Sequence, residues 1–254
     1  MKHYEQLVRL GCFSRKDAVS LTGSVGAANS LLFSYKKKGL IQSVRRDLFV
    51  TMSLETHQPV SHRFAIASHI ADDAFITHHS AFEYYGYANQ VYYEVYVASK
   101  ERFRTFEYDG VTYRQSPPCL NIGVEEKLDG TRVTDIERTV IDSIRDFEKI
   151  GGLEELLRCM DLIPYLDCDK LLRYLAGYDQ SFLYQKTGYI LEYFKADMKL
   201  NENFFEICKG KISKSKRYFY HGIQHEPNVL NKDWLLFTPK DLLSVTRKGG
   251  SFIA

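Results

Sequence analysis

The chain has 254 residues, 44% of them hydrophobic and 26% charged, with a formal net charge of +2; this fits one large domain or a small one beside a medium one, and excludes a disordered or collagen-like chain. No apolar run is long enough to cross a bilayer, and the N-terminus Met1-Lys2-His3-Tyr4-Glu5-Gln6 lacks the apolar stretch of a signal peptide, so a cytoplasmic protein is expected. The cysteines (Cys12, Cys119, Cys159, Cys168 and Cys208) are odd in number and none are at metal-ligand spacing, so reduced thiols and no metal or cofactor are expected.

Charge is unevenly spread. Residues 1–55 carry nine basic and four acidic side chains, a net of +5 against +2 for the whole chain, which leaves −3 for the remainder. A basic head on a mildly acidic body points to a polyanion-binding module attached to something else. In that head, Tyr4, Leu7, Val8 and Leu10 predict a short helix ending at Gly11. Ser14 with Asp17 predicts the capped start of a second helix that stops at Gly23. Ser24 caps a third, whose Val25, Ala28, Leu31, Leu32 and Tyr35 share an inward face, and Gly39 ends it. Residues 40–44 and 48–52 predict two strands joined by Arg45-Arg46-Asp47.

Helix, helix, turn, helix and hairpin make a winged helix-turn-helix, with the third helix entering the major groove. Its outward face carries Ser30, Phe33, Ser34 and Lys37, side chains suited to base edges, Phe33 to a thymine methyl. Ser24, Lys36, Lys38 and the wing residues Arg45 and Arg46 are the expected phosphate contacts. Any one lysine at a helix end could simply complement the helix dipole. The combination with an Arg-Arg turn in one small module favours double-stranded DNA, and two protomers paired on an inverted repeat.

Beyond a linker at 56–61, helical spacing resumes through Phe64, Ile66 and Ile70. Residues 92–98, 103–108 and 111–115 predict strands, the last two joined at Asp109-Gly110. Residues 136–207 read as helices punctuated by Gly151-Gly152, Pro164 and Gly177, and the tail from Tyr218 returns to strands, including Trp234-Leu235-Leu236-Phe237. The expected fold class is α+β: an N-terminal winged helix-turn-helix (1–55) followed by a larger mixed α+β domain (56–254).

Catalytic signatures are weak, and no enzymatic activity is expected. His78-His79-Ser80 fits a helix cap better than a metal site, because no further ligands are spaced near it. His221 and His225 are four apart, but Gly222 and Pro227 oppose a helix presenting both. Asp109 with Glu125-Glu126-Lys127 has the residue order of a metal-dependent nuclease, but with Asp109 at a hairpin tip rather than on a rigid strand. Lys209, Lys211, Lys214, Lys216 and Arg217 read as a solvated loop entering a strand; Lys211, Lys214, Lys216 and Arg217 are also candidates for a second nucleic-acid or protein contact.

Residues 13–18 (Phe-Ser-Arg-Lys-Asp-Ala), Ala27-Ala28, Leu32, Lys38-Gly39-Leu40-Ile41, Val44-Arg45-Arg46 and Leu48-Phe49-Val50 together resemble the N-terminal domain of AbiEi-type antitoxins, the regulator halves of type IV toxin–antitoxin pairs. Many members have Gly-hydrophobic-Tyr where this chain has Asp47-Leu48-Phe49. Residues 75–86, Asn89-Gln90-Val91, 133–142, 151–156 and 187–192 continue the resemblance over most of 13–195. It implies an autorepressor that binds inverted repeats upstream of its own operon. It also implies a C-terminal domain that opposes a nucleotidyltransferase-like toxin, with or without a stable complex. A stand-alone winged-helix regulator with a sensing domain is the alternative.

Overall fold

The computed structural model describes residues 3–118 and 120–243, and its first elements are set by local capping. Helix α1 (Tyr4–Leu10) ends at Gly11, whose φ of 66° suits glycine and where a Cβ would lie 2.3 Å from Ser61 Oγ. Strand β1 (Cys12–Ser14) leads into α2 (Arg15–Thr22). The Asp17 N–H donates to Ser14 Oγ and the Ser14 N–H to the Asp17 carboxylate, closing a capping box. Gly23, at φ 80°, turns the chain, and Ser24 accepts the Ala27 N–H to start α3 (Val25–Lys37). Strands β2 (Ile41–Arg45) and β3 (Leu48–Thr51) follow, joined at Arg46-Asp47, with Asp47 at φ 61°.

These three strands form one antiparallel sheet in the order β1-β3-β2. Its first strand was not expected from the sequence: three residues are too few to show alternation, and β1 exists by pairing Phe13 with Phe49, whose rings stack at 5.8 Å. The α3 core stripe is Ala28, Leu32 and Tyr35, with Leu31 half-buried. Val25 departs from the expected inward face. It is 59% exposed, because the first turn of α3 borders an open groove instead of the core.

Residues 56–61 are not an extended linker. Ser53 N–H donates to Gln58 O, Val60 N–H donates to Thr51 O, and Met52 bridges Pro59, so the segment folds back on β3. Helix α4 (Arg63–Ser68), β4 (Phe75–Ile76), α5 (His79–Tyr85), β5 (Glu94–Ala98), β6 (Phe106–Tyr108), β7 (Val111–Ser116), β8 (Val124–Glu126) and β9 (Arg132–Thr134) come next. The six strands make one mixed sheet, β6-β7-β5-β4-β9-β8. Asp109 and Gly110, at φ 51° and 72°, form the expected tight turn of the β6–β7 hairpin.

Helices α6 (Ile136–Arg145), α7 (Leu153–Asp161), α8 (Cys168–Tyr178), α9 (Ser181–Tyr193) and α10 (Glu202–Lys211) precede β10 (Arg217–Tyr218), β11 (Asn228–Asn231) and β12 (Leu236–Pro239), a three-stranded sheet ordered β10-β12-β11. Gly177 does not interrupt the helices as expected. It lies inside α8, where a Cβ would meet the Leu120 side chain at 3.2 Å, so the glycine serves close packing. The strand expected from Trp234 begins only at Leu236, because Leu235 takes φ 53°.

By contact density the chain divides into two units: Met1–Ile76, Tyr93–Pro118 and Glu125–Val133; and Thr77–Tyr92, Cys119–Val124 and Thr134–Ala254. The expected boundary at 55/56 does not coincide with this division, since the first unit runs through it to Ile76. Helix α9 is the core of the second unit. Residues 183–191 are all buried, and Gly188 admits the Trp234 ring, which a Cβ would meet at 2.0 Å. No helix of the described residues is long and apolar enough to cross a membrane. Cys12, Cys159, Cys168 and Cys208 are free thiols, and Cys119 lies outside the described residues.

Candidate nucleic-acid interface

Because Ala28, Leu32 and Tyr35 anchor α3, its opposite face is left outward by helical geometry. Ser30 and Lys37 are exposed there, and Phe33 is 73% exposed, with nothing apolar covering it; Lys36 is exposed on the flank, one turn beyond buried Leu32. Ser34 is half-buried, at the edge of this face. Ser24 is exposed, but its Oγ already accepts the Ala27 N–H; its hydroxyl hydrogen remains a donor for an anion. Lys38, the last residue before Gly39, is exposed.

The two hairpin arginines separate. Arg46 projects, its side chain 94% exposed with only a 3.6 Å contact to Asp47. Arg45 does not project as expected. Its guanidinium lies 5.6 Å and 5.4 Å from the ring centroids of Phe103 and Phe106, and its Nη1 is buried without a hydrogen-bond partner among the described residues. Such stacking contributes about 1 kcal/mol and holds the side chain against the 103–106 segment. Arg46 is therefore the solvent-exposed arginine of the turn.

Arg15 is a residue that sequence reasoning missed. Its Nε donates to Asp47 Oδ1 at 2.5 Å, and its Nη1 donates to Asn29 on α3. One guanidinium thus ties the hairpin turn to α3, and it holds the Asp47 carboxyl below its ordinary range. The cue was an Arg directly after an N-cap, which pattern reading assigns to the surface.

A second omission is the segment between β5 and β6. The expected strand from Phe103 starts only at Phe106, so Lys100, Arg102 and Arg104 stand exposed on a non-strand stretch. Arg45 over Phe103 and the Tyr108 hydroxyl donating to Gln42 Oε1 at 2.9 Å hold this stretch beside β2. Within the same unit, an open groove of about 660 Å³ is bordered by Arg15, Lys16, Val25, Arg45, Arg46 and Asp72.

Other sequence candidates are not assembled. Asp109 sits at the β6–β7 tip and Glu125 and Glu126 on β8, at opposite edges of the six-stranded sheet; Glu125 is instead paired with Lys127 at 2.6 Å. The nuclease arrangement is therefore absent among these residues. His221 and His225 lie in a 3-10 turn, where i and i+4 do not share a face. His78, expected to cap α5, makes no side-chain cap hydrogen bond there, because it enters the helix at φ 55°. In the second unit Lys211 ends α10, Lys214 and Lys216 are exposed between α10 and β10, and Arg217 lies 5.3 Å from the Phe182 ring centroid. That is a solvated approach to a strand.

No family model matches the chain, and no curated protein matches it. Among solved structures the chain is similar to the crystal structure of the Rv2827c protein from Mycobacterium tuberculosis, at 14% identity and a TM-score of 0.62, over 98% of this chain and 94% of that one. At that identity the likeness concerns the fold alone.

Proposed function

We propose that the chain is a DNA-binding transcriptional autorepressor whose residues 1–55 act as a winged helix-turn-helix, and that it serves as the antitoxin of a type IV pair. The observation that carries the DNA-binding reading is α3. Its outward face combines Ser30, an uncovered Phe33 and Lys37, with Lys36 exposed on the flank at the helix end, and the hairpin turn bearing Arg46 is tied to the same helix through Arg15. Small, hydroxylated and apolar groups read base edges, while cations at the helix end and turn engage phosphates. Lys100, Arg102 and Arg104 extend the cationic surface.

Fluorescence anisotropy on duplex DNA over a series of salt concentrations tests this. Wild-type affinity should fall linearly on a log–log plot. Arg46→Ala should reduce the slope by about one unit, as expected for one lost phosphate contact. An undiminished slope would remove the turn from the interface. The antitoxin half rests on the family resemblance. Its test is growth rescue when this gene is co-expressed with a neighbouring nucleotidyltransferase-like frame; no rescue would discard it. One observation favours a stand-alone sensing regulator instead: the groove beside α2 and the hairpin turn is large enough for a small ligand.

A further inference from the structure

Helix α7 places Glu155 and Cys159 at i and i+4, one turn apart on its buried face. Helix α5 brings His79 against them from 76 residues away in sequence. His79 Nε2 lies 3.3 Å from Glu155 Oε1, Cys159 Sγ lies 3.5 Å from the same oxygen, and the three donor atoms all lie within 4.8 Å of one another. The residues are 0%, 3% and 0% exposed. A tetrahedral ion with bonds of about 2.0–2.3 Å leaves neighbouring ligand atoms about 3.3–3.8 Å apart, which these two edges match.

The donor set is imidazole nitrogen, thiolate sulfur and carboxylate oxygen, which suits zinc. Glu155 Oε2 is buried and has no hydrogen-bond partner among the described residues, so the carboxylate is not committed elsewhere, and a tetrahedral ion held by these three side chains would take a small donor such as water as its fourth ligand. Outer groups orient the donors as metal sites require. The Gln90 N–H donates to Glu155 Oε1 at 3.3 Å, and the Asn89 N–H to the Cys159 sulfur. The Glu83 carboxylate stands 3.9 Å from Nδ1, the other nitrogen of His79, and the Tyr92 ring stacks on the imidazole at 4.0 Å.

We propose that His79, Glu155 and Cys159 bind one divalent zinc ion that ties α5 to α7 and is taken up as the chain folds. Binding replaces the thiol proton of Cys159, which is released to solvent. The site is independent of the DNA-binding reading, since none of its residues belongs to α3 or to the β2–β3 hairpin.

The test uses the full chain, stripped of metal by a chelator during refolding and then titrated with Co²⁺. Expected is uptake of one equivalent with a thiolate-to-cobalt charge-transfer band. Cys159→Ser should abolish the band and Cys208→Ser should keep it. Lack of uptake by the wild-type chain, or a band that survives Cys159→Ser, would overturn the proposal. Should Cys159→Ser fail to fold, thermal melting of the wild-type chain decides. One equivalent of Zn²⁺ should raise its melting temperature and chelator should reverse the rise; an unmoved melting temperature would equally refute the site.

Discussion

Single side chains decide what the candidate interface can do. Arg45 and Arg46 are adjacent in sequence, yet one stacks on Phe103 and Phe106 and the other stands in solvent. Arg45→Ala is therefore expected to lower the melting temperature with little change in the salt slope of DNA binding, the reverse of Arg46→Ala. Thermal melts and salt titrations on the two variants separate the roles. Sequence reading could not part them, because Phe103 lies some sixty positions away. The same non-locality hid His79, Glu155 and Cys159, whereas Ser14 with Asp17 was legible because a capping box closes within four residues.

Lys186 offers a titration at the same scale. It is buried on α9, with its Nζ donating to Arg145 O at 3.2 Å and 4.8 Å from the Phe147 ring centroid. Burial pulls its ammonium down to about 8, despite nearby Asp146 and Glu148, with Arg145 adding repulsion; Lys149 and His221 line the same recess. The folded state then binds fewer protons than the unfolded chain between about pH 8 and 10, so this group adds stability as pH rises. Buried thiols such as Cys12 and Cys208, pushed up to about 12, act in the opposite direction. The clean observable is thus the difference between wild type and Lys186→Met. The variant should be the more stable by up to about 3 kcal/mol at pH 7, and that advantage should shrink by pH 10. Urea denaturation at both pH values measures it, and a pH-independent difference would show that Lys186 is not buried as a cation.

At the scale of elements, the helices were legible and the short strands were not. α1, α2 and α3 begin and end where Ser14, Ser24, Gly11, Gly23 and Gly39 dictate, since capping is local physics. β1, of three residues, and β6, which begins at Phe106 rather than Phe103, depend on partner strands. α9 is buried on all sides over residues 183–191, so no amphipathic stripe announces its place as the core helix. Its tolerance should be correspondingly low. Gly188→Ala puts a methyl into the Trp234 ring and is expected to cost about 1–3 kcal/mol in chemical denaturation. Ser14→Ala, losing only a cap, should cost about 1 kcal/mol. If Gly188→Ala were the milder of the two, the packing of Trp234 on α9 would have to be revised.

For the whole molecule, the proposed reading assigns two activities to one chain. They should separate: Lys37→Ala is expected to abolish repression while leaving toxin neutralisation intact, measured by a promoter reporter and growth rescue in the same strain. Loss of both together would argue that one surface serves both. The basic charge of residues 1–55, on which the DNA-binding proposal partly rests, was legible in the sequence, since a net of +5 needs no tertiary structure. The grouping of residues 93–118 and 125–133 with 1–76 was not legible, because it joins segments far apart in sequence. The DNA-binding proposal itself is decided by a gel shift of the purified protein on the DNA upstream of its own gene, with an unrelated fragment and Lys37→Ala alongside. Selective retardation of the upstream fragment, lost in Lys37→Ala, is expected; equal retardation of both fragments, or none of either, would refute the autorepressor reading.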